Sequence, residues 1–442
     1  MNIYVPKIPL ENQQKLPVMF WIYGGSFTGG SNLIESYDPE YFMDTSEVIL
    51  VSVNYRLGPL GFLKLPNSTV TGNVGLTDQL LALEWVNHHI DKFAGNADSI
   101  TVFGESAGGH SVNLLVLSPL SDGLFHRAIM QSGTVSDPGW SQIQPEYANQ
   151  YGLMLAEKLD CLYDDMDITL ECIQSKSLDE IIGTYVIGGN LWMPTVDGSF
   201  IPEDPRFILE KGNFNKNVEI IVGNVADEGL GGVLPLVIDP SGWSEFQDNF
   251  RANAPRKFLN IPYTRNFTDE DHYKAEEIVK YYVGSYDNMN EENMAKIIEM
   301  FSDDTIFGAY KTAKSFANHG VETYQFIVSY EGQYSTSQYW YGVDPMGVNH
   351  GDDLFYLFQM PKYDITLTGV DVEVKNVMIK NWVNFAIHGN PTPDDETGMK
   401  WTPLAANDSF KSIFWNIYGP VPEMEDSLYF QEKMKFWENL LN

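Results

Sequence analysis

The sequence predicts a doubly wound α/β fold, in which a mostly parallel sheet carries helices on both faces. Residues 16–23 and 47–55 are near-continuous apolar runs, as expected of strands that are buried on both sides. Residues 78–93 instead repeat apolar side chains at helical spacing. Later strands are predicted at 99–103, 218–225, 322–330 and 411–417, and later helices at 107–117, 372–387 and 426–441. Strands and helices therefore alternate along most of the chain.

Two segments interrupt this alternation, because residues 143–199 and 243–319 are predominantly helical in pattern. We interpret both as a cap or an insertion on the sheet. No linker or internal repeat separates them from the rest, and we expect a single domain over residues 1–442.

The composition excludes several classes of partner. The chain has 442 residues, of which 60 are acidic and 27 basic, so its formal net charge is −33. Such a charge disfavours nucleic acids and anionic membrane surfaces as partners. No apolar run approaches the roughly 18 residues that a transmembrane helix needs. We expect no transmembrane segment and no nucleic acid partner; the oligomeric state stays open.

Ser106 is the predicted nucleophile. It is the central residue of Gly104-Glu-Ser-Ala-Gly, which lies between the predicted strand 99–103 and the predicted helix 107–117. This G-x-S-x-G pattern, in a strand–turn–helix setting, exposes a serine oxygen on a sharp turn. Outside that setting the same residues could form a glycine-rich helix start with an ordinary serine cap.

A serine hydroxyl needs a base, and in this fold class the acid and then the histidine follow the serine along the chain. Of the late histidines, His350 lies in a glycine-flanked loop after a predicted buried strand, where catalytic groups concentrate. For the acid, Asp227 and Glu228 compete at the end of strand 218–225. Pattern alone leaves open whether these residues are catalytic or merely solvated.

Negative charge on the carbonyl oxygen requires backbone donors. The amide of Ala107, directly after the nucleophile, is one candidate. Residues 20–27 form a buried strand that runs into paired glycines, and such a loop can supply further donors. A simple tight turn would have the same sequence features.

Two cysteines and three sequons bear on the compartment. Cys161 and Cys172 are close enough in sequence to close a surface loop as a disulfide, although two unrelated buried thiols fit equally well. Asn67, Asn266 and Asn407 begin Asn-x-Ser/Thr sequons, which are possible glycosylation sites in a secreted chain.

Together these segments resemble the type-B carboxylesterases, the α/β-hydrolase family that includes cholinesterases and arthropod esterases. The resemblance covers nearly the whole chain. The matching segments are Trp21-Ile-Tyr-Gly-Gly-Ser-Phe, Gly72-Asn-Val-Gly-Leu-Thr-Asp-Gln, Phe103-Gly-Glu-Ser-Ala-Gly-Gly, Gln131-Ser-Gly, Gly223-Asn-Val-Ala-Asp-Glu-Gly, Val348-Asn-His-Gly-Asp-Asp-Leu, Asn384-Phe-Ala-Ile-His-Gly-Asn-Pro and Lys433-Met-Lys-Phe-Trp.

The resemblance implies a catalytic triad of Ser106, Glu228 and His350, with Glu228 rather than Asp227 as the acid. It implies oxyanion donors at Gly25, Ser26 and Ala107, although many relatives have Gly or Ala where Ser26 stands. The reaction it implies is hydrolysis of a carboxylic ester through an acyl-enzyme, with no cofactor and no metal. The resemblance also implies the Cys161–Cys172 disulfide. Glu105, Ser132 and Trp140 are expected to shape the site or to have a structural role.

Two departures from the family pattern lead to further expectations. Leu230-Gly-Gly follows Gly229 where cholinesterases have aromatic residues, so we expect a neutral carboxyl ester rather than a choline ester as the substrate. The strand at Asn2-Ile-Tyr-Val-Pro lies well inside other members, so we expect an N-terminally truncated form of a secreted enzyme, with the signal peptide lost. The alternatives are a non-catalytic adhesion protein, a lipase for bulkier acyl glycerols, and an inert truncated product.

Overall fold

Nine strands form one sheet in the computed structural model, which describes residues 1–7, 15–183, 192–393, 400–406 and 413–441. In chain order they are β1 (Asn2–Tyr4), β2 (Leu16–Ile22), β3 (Ile49–Ser52), β4 (Gly95–Glu105), β5 (Arg127–Gln131), β6 (Glu219–Val225), β7 (Thr323–Val328), β8 (Ile413–Ile417) and β9 (Glu423–Asp426). Their spatial order is β1-β3-β2-β4-β5-β6-β7-β8-β9. All neighbours from β3 to β8 pair in parallel, and only the two edge pairs, β1 with β3 and β8 with β9, are antiparallel. The predicted mostly parallel sheet is confirmed.

The strand order reverses between β2 and β4. From β2 the chain moves to β3 on one side and then returns to place β4 on the other side of β2. The loops that leave the carboxyl ends of two such strands run in opposite directions, so a crevice opens between them. This crevice lies between the loop after β2 and the turn after β4.

Helices cover both faces of this sheet. The five consecutive residues from Val18 to Ile22 in β2 are all fully buried, and because alternate side chains point to opposite faces, both faces are covered. In chain order the helices are α1 (Glu40–Thr45), α2 (Gly58–Phe62), α3 (Val74–His89), α4 (Ala107–Leu117), α5 (Pro145–Lys158), α6 (Met166–Ser175), α7 (Leu178–Gly183), α8 (Pro205–Lys211), α9 (Leu234–Ile238), α10 (Trp243–Leu259), α11 (Asp269–Val283), α12 (Met294–Asn318), α13 (Thr336–Tyr341), α14 (Val370–His388) and α15 (Leu428–Leu441). Among the described residues, no helix has the length and apolar character that a membrane span requires.

The two segments predicted to be helical insertions contain most of the helices outside the alternating pattern. Helices α5, α6 and α7 lie in the first segment, and α10, α11 and α12 lie in the second. The second segment has its own hydrophobic cluster, in which Phe250, Phe301 and Trp437 join α10, α12 and α15. A larger cluster surrounds the sheet itself.

Cys161 and Cys172 form a disulfide between the end of α5 and the middle of α6, with their Cα atoms 5.4 Å apart. The pairing implied by the family resemblance is thus present in the structure. Cys161 is fully buried in the main cluster, so the bond also anchors α6 to the rest of the molecule.

Replacing both cysteines by serine is expected to lower the free energy of unfolding by about 3 kcal/mol, because a cross-link over a short loop removes conformational entropy from the unfolded chain. Denaturant unfolding of the oxidised protein and of the double variant measures this difference. Equal midpoints for the two proteins would contradict the expectation.

Candidate active site

Ser106 occupies a sharp turn between β4 and α4. Its backbone has φ 58° and ψ −125°, a region that L-residues rarely adopt and that costs on the order of 1–3 kcal/mol. The neighbouring structure holds it there. The Ser106 amide donates to the Gln131 carbonyl at 2.8 Å, and the Ser106 carbonyl accepts from the His110 amide at 2.9 Å. This geometry is the strained strand–helix turn that the G-x-S-x-G pattern predicts.

Glycines surround this turn because the backbones approach too closely for any side chain. A Cβ on Gly108 would lie 2.0 Å from the Ile22 carbonyl oxygen, and one on Gly133 would lie 2.0 Å from the Ser106 carbonyl oxygen. A Cβ on Gly24 would lie 2.8 Å from the Ser106 Cβ and 2.9 Å from a Glu105 carboxylate oxygen. These contacts press the loop after β2 against the nucleophile.

The predicted oxyanion donors lie in this loop and at the start of α4. Gly25, Ser26 and Phe27 follow one another with φ values of 115°, 54° and 59°. Among the described residues, no oxygen accepts a hydrogen bond from the amides of Gly25, Ser26 or Ala107. Three unengaged N–H groups beside the serine are what a developing oxyanion requires.

Phe27 fixes the strained loop through its side chain. The ring is fully buried and stacks on Trp140 at 5.7 Å, with Phe62 at 5.0 Å and His110 at 5.8 Å on other sides. Burying an aromatic ring contributes on the order of 1.5–3 kcal/mol, comparable with the backbone strain it opposes. Trp140 therefore supports the site, as expected from the sequence.

His110 is a part of this cluster whose setting the sequence did not reveal. It is fully buried, and neither ring nitrogen has a hydrogen-bond partner among the described residues. Burial lowers the pKa of His110 to about 3, so the ring is neutral at physiological pH. His110 thus packs as an aromatic residue and not as a base.

His350 and Glu228 form the hydrogen-bonded pair expected of a base and its acid. His350 Nδ1 lies 2.6 Å from Glu228 Oε2. The other carboxylate oxygen accepts from the Val225 amide at 3.0 Å and from Asn224 Nδ2 at 3.2 Å. Burial acts to raise the pKa of Glu228, but the adjacent His350 and the hydrogen bonds that the carboxylate accepts outweigh burial and lower it. Glu228 is therefore ionised and can orient the imidazole.

Asp227 does not contact His350 but bonds to the backbone beside it. Its carboxylate accepts from the Val348 amide at 2.8 Å, and its own amide donates to the Val348 carbonyl at 3.0 Å. Asp227 thus ties the end of β6 to the loop that contains His350. These bonds hold the segments that carry Glu228 and His350 close together.

Asp352 holds the same loop from the other side. Its carboxylate accepts from the Asn349 amide and the Ser335 hydroxyl, each at 2.8 Å, and from the Thr336 amide at 2.7 Å. The Thr336 hydroxyl also donates to the His350 carbonyl at 2.9 Å. A loop with this many bonds keeps the imidazole in one place, as a catalytic group requires.

Glu105 contacts the base directly. Its Oε1 lies 3.1 Å from His350 Nε2. Burial raises the pKa of Glu105 to about 8, although the charge of His350 opposes this shift. Burial lowers the pKa of His350, but Glu105 and Glu228 outweigh it and raise the pKa of the imidazole. Glu105 and His350 therefore influence each other's pKa across this contact.

The structure brings Ser106 and His350 to the same site but does not join them. Among the described residues, no hydrogen bond links the Ser106 hydroxyl to the imidazole, and Nε2 faces Glu105 instead. Catalytic hydrogen bonds are often long or misaligned before substrate binds, so this arrangement is compatible with a base.

Asp353, Gln131 and Trp382 form a buried chain of hydrogen bonds that the sequence did not predict. Gln131 donates to the Asp353 carboxylate and accepts from Trp382 Nε1 at 3.1 Å. Burial raises the pKa of Asp353 to about 7, so it is partly protonated near neutrality. Two adjacent acids, Asp352 and Asp353, follow His350 closely in the sequence and could have indicated such a network. The sequence alone does not show which residues donate hydrogen bonds to them.

The sequons at Asn67 and Asn266 are both exposed, as glycosylation would require. Asn407 lies outside the described residues. Their modification stays a prediction.

Comparison with known proteins agrees with this geometry. A model of the carboxylesterase family matches residues 1–437. The chain is 31% identical to an acetylcholinesterase of Bungarus fasciatus, across 95% of this chain and 72% of that enzyme. It is 33% identical to a cholinesterase of Mus musculus, across 89% and 65% of the two chains. It is 31% identical to a juvenile hormone esterase of Tribolium castaneum, across 91% and 72%.

Glu105→Gln is expected to shift the acidic limb of the pH profile of kcat/KM to lower pH. Activity requires neutral His350, so it is lost as the pH falls through the pKa of the imidazole. Removing one of the carboxylates that raise this pKa moves the loss to lower pH. A pH–rate profile measures the limb, and Glu157→Gln, at an exposed site on α5, is the matched control. An unchanged limb in Glu105→Gln would show that the carboxylate does not act on the base.

Proposed function

The chain belongs to the carboxylesterase family and is a serine carboxylic ester hydrolase, and we propose that Ser106, His350 and Glu228 carry out its reaction. The observation that supports this assignment most is the 2.6 Å contact between His350 Nδ1 and Glu228 Oε2. Nε2 of the same imidazole lies 3.1 Å from Glu105, the residue directly before Ser106, so the base and the serine belong to one site.

In the first step His350 Nε2 takes the hydroxyl proton of Ser106, and Ser106 Oγ attacks the ester carbonyl carbon. Glu228 stabilises the imidazolium that forms. The carbonyl oxygen becomes an oxyanion and accepts hydrogen bonds from the amides of Gly25, Ser26 and Ala107.

The intermediate then collapses. His350 returns the proton to the departing alcohol, and the acyl group stays on Ser106. A water molecule gives a proton to His350 and attacks the acyl carbon, which releases the acid and restores the serine. No other reactant is needed.

We assign a neutral carboxyl ester, rather than a choline ester, as the substrate. A quaternary ammonium group binds well over aromatic faces. The residues after Gly229 are Leu230, Gly231 and Gly232, which offer none.

We also propose that the enzyme is extracellular and that it consists of a single catalytic domain. The Cys161–Cys172 disulfide supports an oxidising, extracellular compartment. The continuous sheet from β1 to β9 supports a single catalytic domain, since no strand is left to a second sheet among the described residues.

Ser106→Ala is expected to reduce kcat for a p-nitrophenyl ester on the order of 10⁶-fold, because the nucleophile and its base act as a unit. The spectrophotometric release of p-nitrophenol measures it. Ser199→Ala, at an exposed position, removes the same atom from another serine and should leave the rate unchanged. Retention of full activity in Ser106→Ala would exclude the mechanism. A well-folded wild-type protein with no esterase activity would favour the adhesion reading.

Wild-type protein is expected to hydrolyse 3,3-dimethylbutyl butyrate, the uncharged isostere of butyrylcholine, with a kcat/KM at least about tenfold above that for butyrylcholine, because Leu230-Gly-Gly offers no aromatic face to repay the desolvation of the ammonium group. Parallel assays of both butyrate esters compare one acyl group with two alcohols. Equal or higher efficiency on butyrylcholine would overturn the substrate assignment but leave the triad intact.

A further inference from the structure

A cavity of about 620 Å³ opens beside Glu228 and is not used by the reaction described above. Its apolar walls include Trp140, Phe250 and Phe301. Its size fits a small organic ligand. The polar residues Asn249, Asn253, Arg256 and Lys257 also line it.

Arg256 is unusual among the arginines of this chain. The chain has six arginines, all within the described residues, and five of them lie within 4.0 Å of a carboxylate. The five pairs are Arg56–Asp78, Arg127–Glu219, Arg206–Asp204, Arg251–Asp287 and Arg265–Asp271. The protein has 60 acidic residues, yet Arg256 in the cavity wall has no carboxylate partner among the described residues. A guanidinium in this setting can bind the carboxylate of a ligand.

The guanidinium of Arg256 is held in place. Its Nη1 donates to the Ile261 carbonyl at 2.8 Å, and the group lies 4.5 Å from the Tyr263 ring centroid and 4.9 Å from that of Phe267. A fixed guanidinium loses little conformational entropy when it binds a further group. One carbonyl and two aromatic rings thus surround the guanidinium, but none of them carries a negative charge that would neutralise it.

Lys257 does not compete for the same role. Its ammonium pairs with Asp304 at 2.7 Å, and the Asp304 side chain is almost completely buried. The pair is therefore close to neutral. Of the charged described residues that line the cavity, Glu228 and Lys257 each have a counter-charge, and Arg256 does not.

The cavity lies on the acyl side of the ester. The alcohol must leave beside His350 Nε2, which returns its proton. Neither His350 nor Glu105 is among the described residues that line the cavity. Trp140, which does line it, stacks on Phe27 next to the oxyanion donor Ser26. Glu228 also lines the cavity, but the imidazole itself does not, and the link to the oxyanion loop runs through the stacked rings of Trp140 and Phe27.

We propose that this cavity binds the acyl arm of the substrate and that Arg256 binds a carboxylate at the far end of that arm. The preferred substrates are then monoesters of dicarboxylic acids. This inference rests on the proposed esterase function and narrows it, because the alcohol part of the ester stays uncharged, as proposed above, while the acyl part carries a carboxylate. The net charge of −33 repels anions at long range, but salt screens it within about 8 Å, so the local guanidinium decides binding inside the cavity.

The test compares matched pairs of ethyl esters. Monoethyl succinate, adipate, suberate and sebacate are paired with ethyl butyrate, hexanoate, octanoate and decanoate, which have the same acyl lengths. Wild type is expected to show a higher kcat/KM for the acid member of at least one pair, mainly through a lower KM. The acyl length at which this preference peaks reports the reach from Ser106 to Arg256.

Arg256→Gln is expected to reduce kcat/KM for the preferred monoester about tenfold to a hundredfold, the range for losing a hydrogen bond to a charged group. Its effect on the matched neutral ester should stay below about threefold, because a neutral acyl end does not use the charge. Arg251→Gln, on the same helix and in an exposed ion pair with Asp287, is the matched control. Arg256→Lys keeps the charge and should retain part of the preference.

Three results would overturn the inference. One is equal loss on both members of a pair in Arg256→Gln, which would show a packing role. Another is the same loss in Arg251→Gln, which would show a general charge effect. The third is wild-type activity on the neutral esters with no preference for any monoester, which leaves the esterase function standing. Absence of activity on every ester would instead remove the proposed function itself.

Discussion

The close approach of three backbones around Ser106 is the constraint on which the site depends. The loop after β2, the turn after β4 and the segment after β5 meet there with contacts that only glycine permits. Gly108 fits against Ile22, and Gly133 fits against Ser106 itself. This packing holds the serine at a positive φ that it would not adopt alone. The surrounding backbone thereby maintains the strain at Ser106.

Two carboxylates flank the imidazole of His350. His350 has a carboxylate on each ring nitrogen, Glu228 at Nδ1 and Glu105 at Nε2. Glu228 receives hydrogen bonds that keep it ionised, whereas burial raises the pKa of Glu105. The two acids are thus distinguished by environment, because the pKa of Glu228 is lowered and that of Glu105 is raised. Such separation of pKa values is how neighbouring acids acquire different roles.

Much of the fold followed from the sequence because its signals are local. Apolar runs gave β2, β6 and β7 within two residues at each end, and the predicted helix at 107–117 is α4. The edge strand β9 was not predicted, because Glu423-Met-Glu-Asp is polar and forms a strand only through its pairing with β8. The strand predicted at 47–55 ends at Ser52, since the chain then turns to let Asn54 bond to Asn32. Within the site, the order of Ser106, Glu228 and His350 was predictable. The contact of Glu105 with the imidazole, the burial of His110 and the unpaired state of Arg256 were not, because each depends on residues distant in sequence.

The central claim is that Ser106 is the activated nucleophile, and covalent labelling tests it most directly. Incubation of the wild-type protein with a fluorophosphonate, followed by proteolysis and mass spectrometry, locates the modified residue. We predict one adduct per chain, on the peptide that contains Ser106, with loss of esterase activity in proportion to labelling. An adduct at another serine that accompanies the loss of activity, or full activity after stoichiometric labelling of Ser106, would contradict this account.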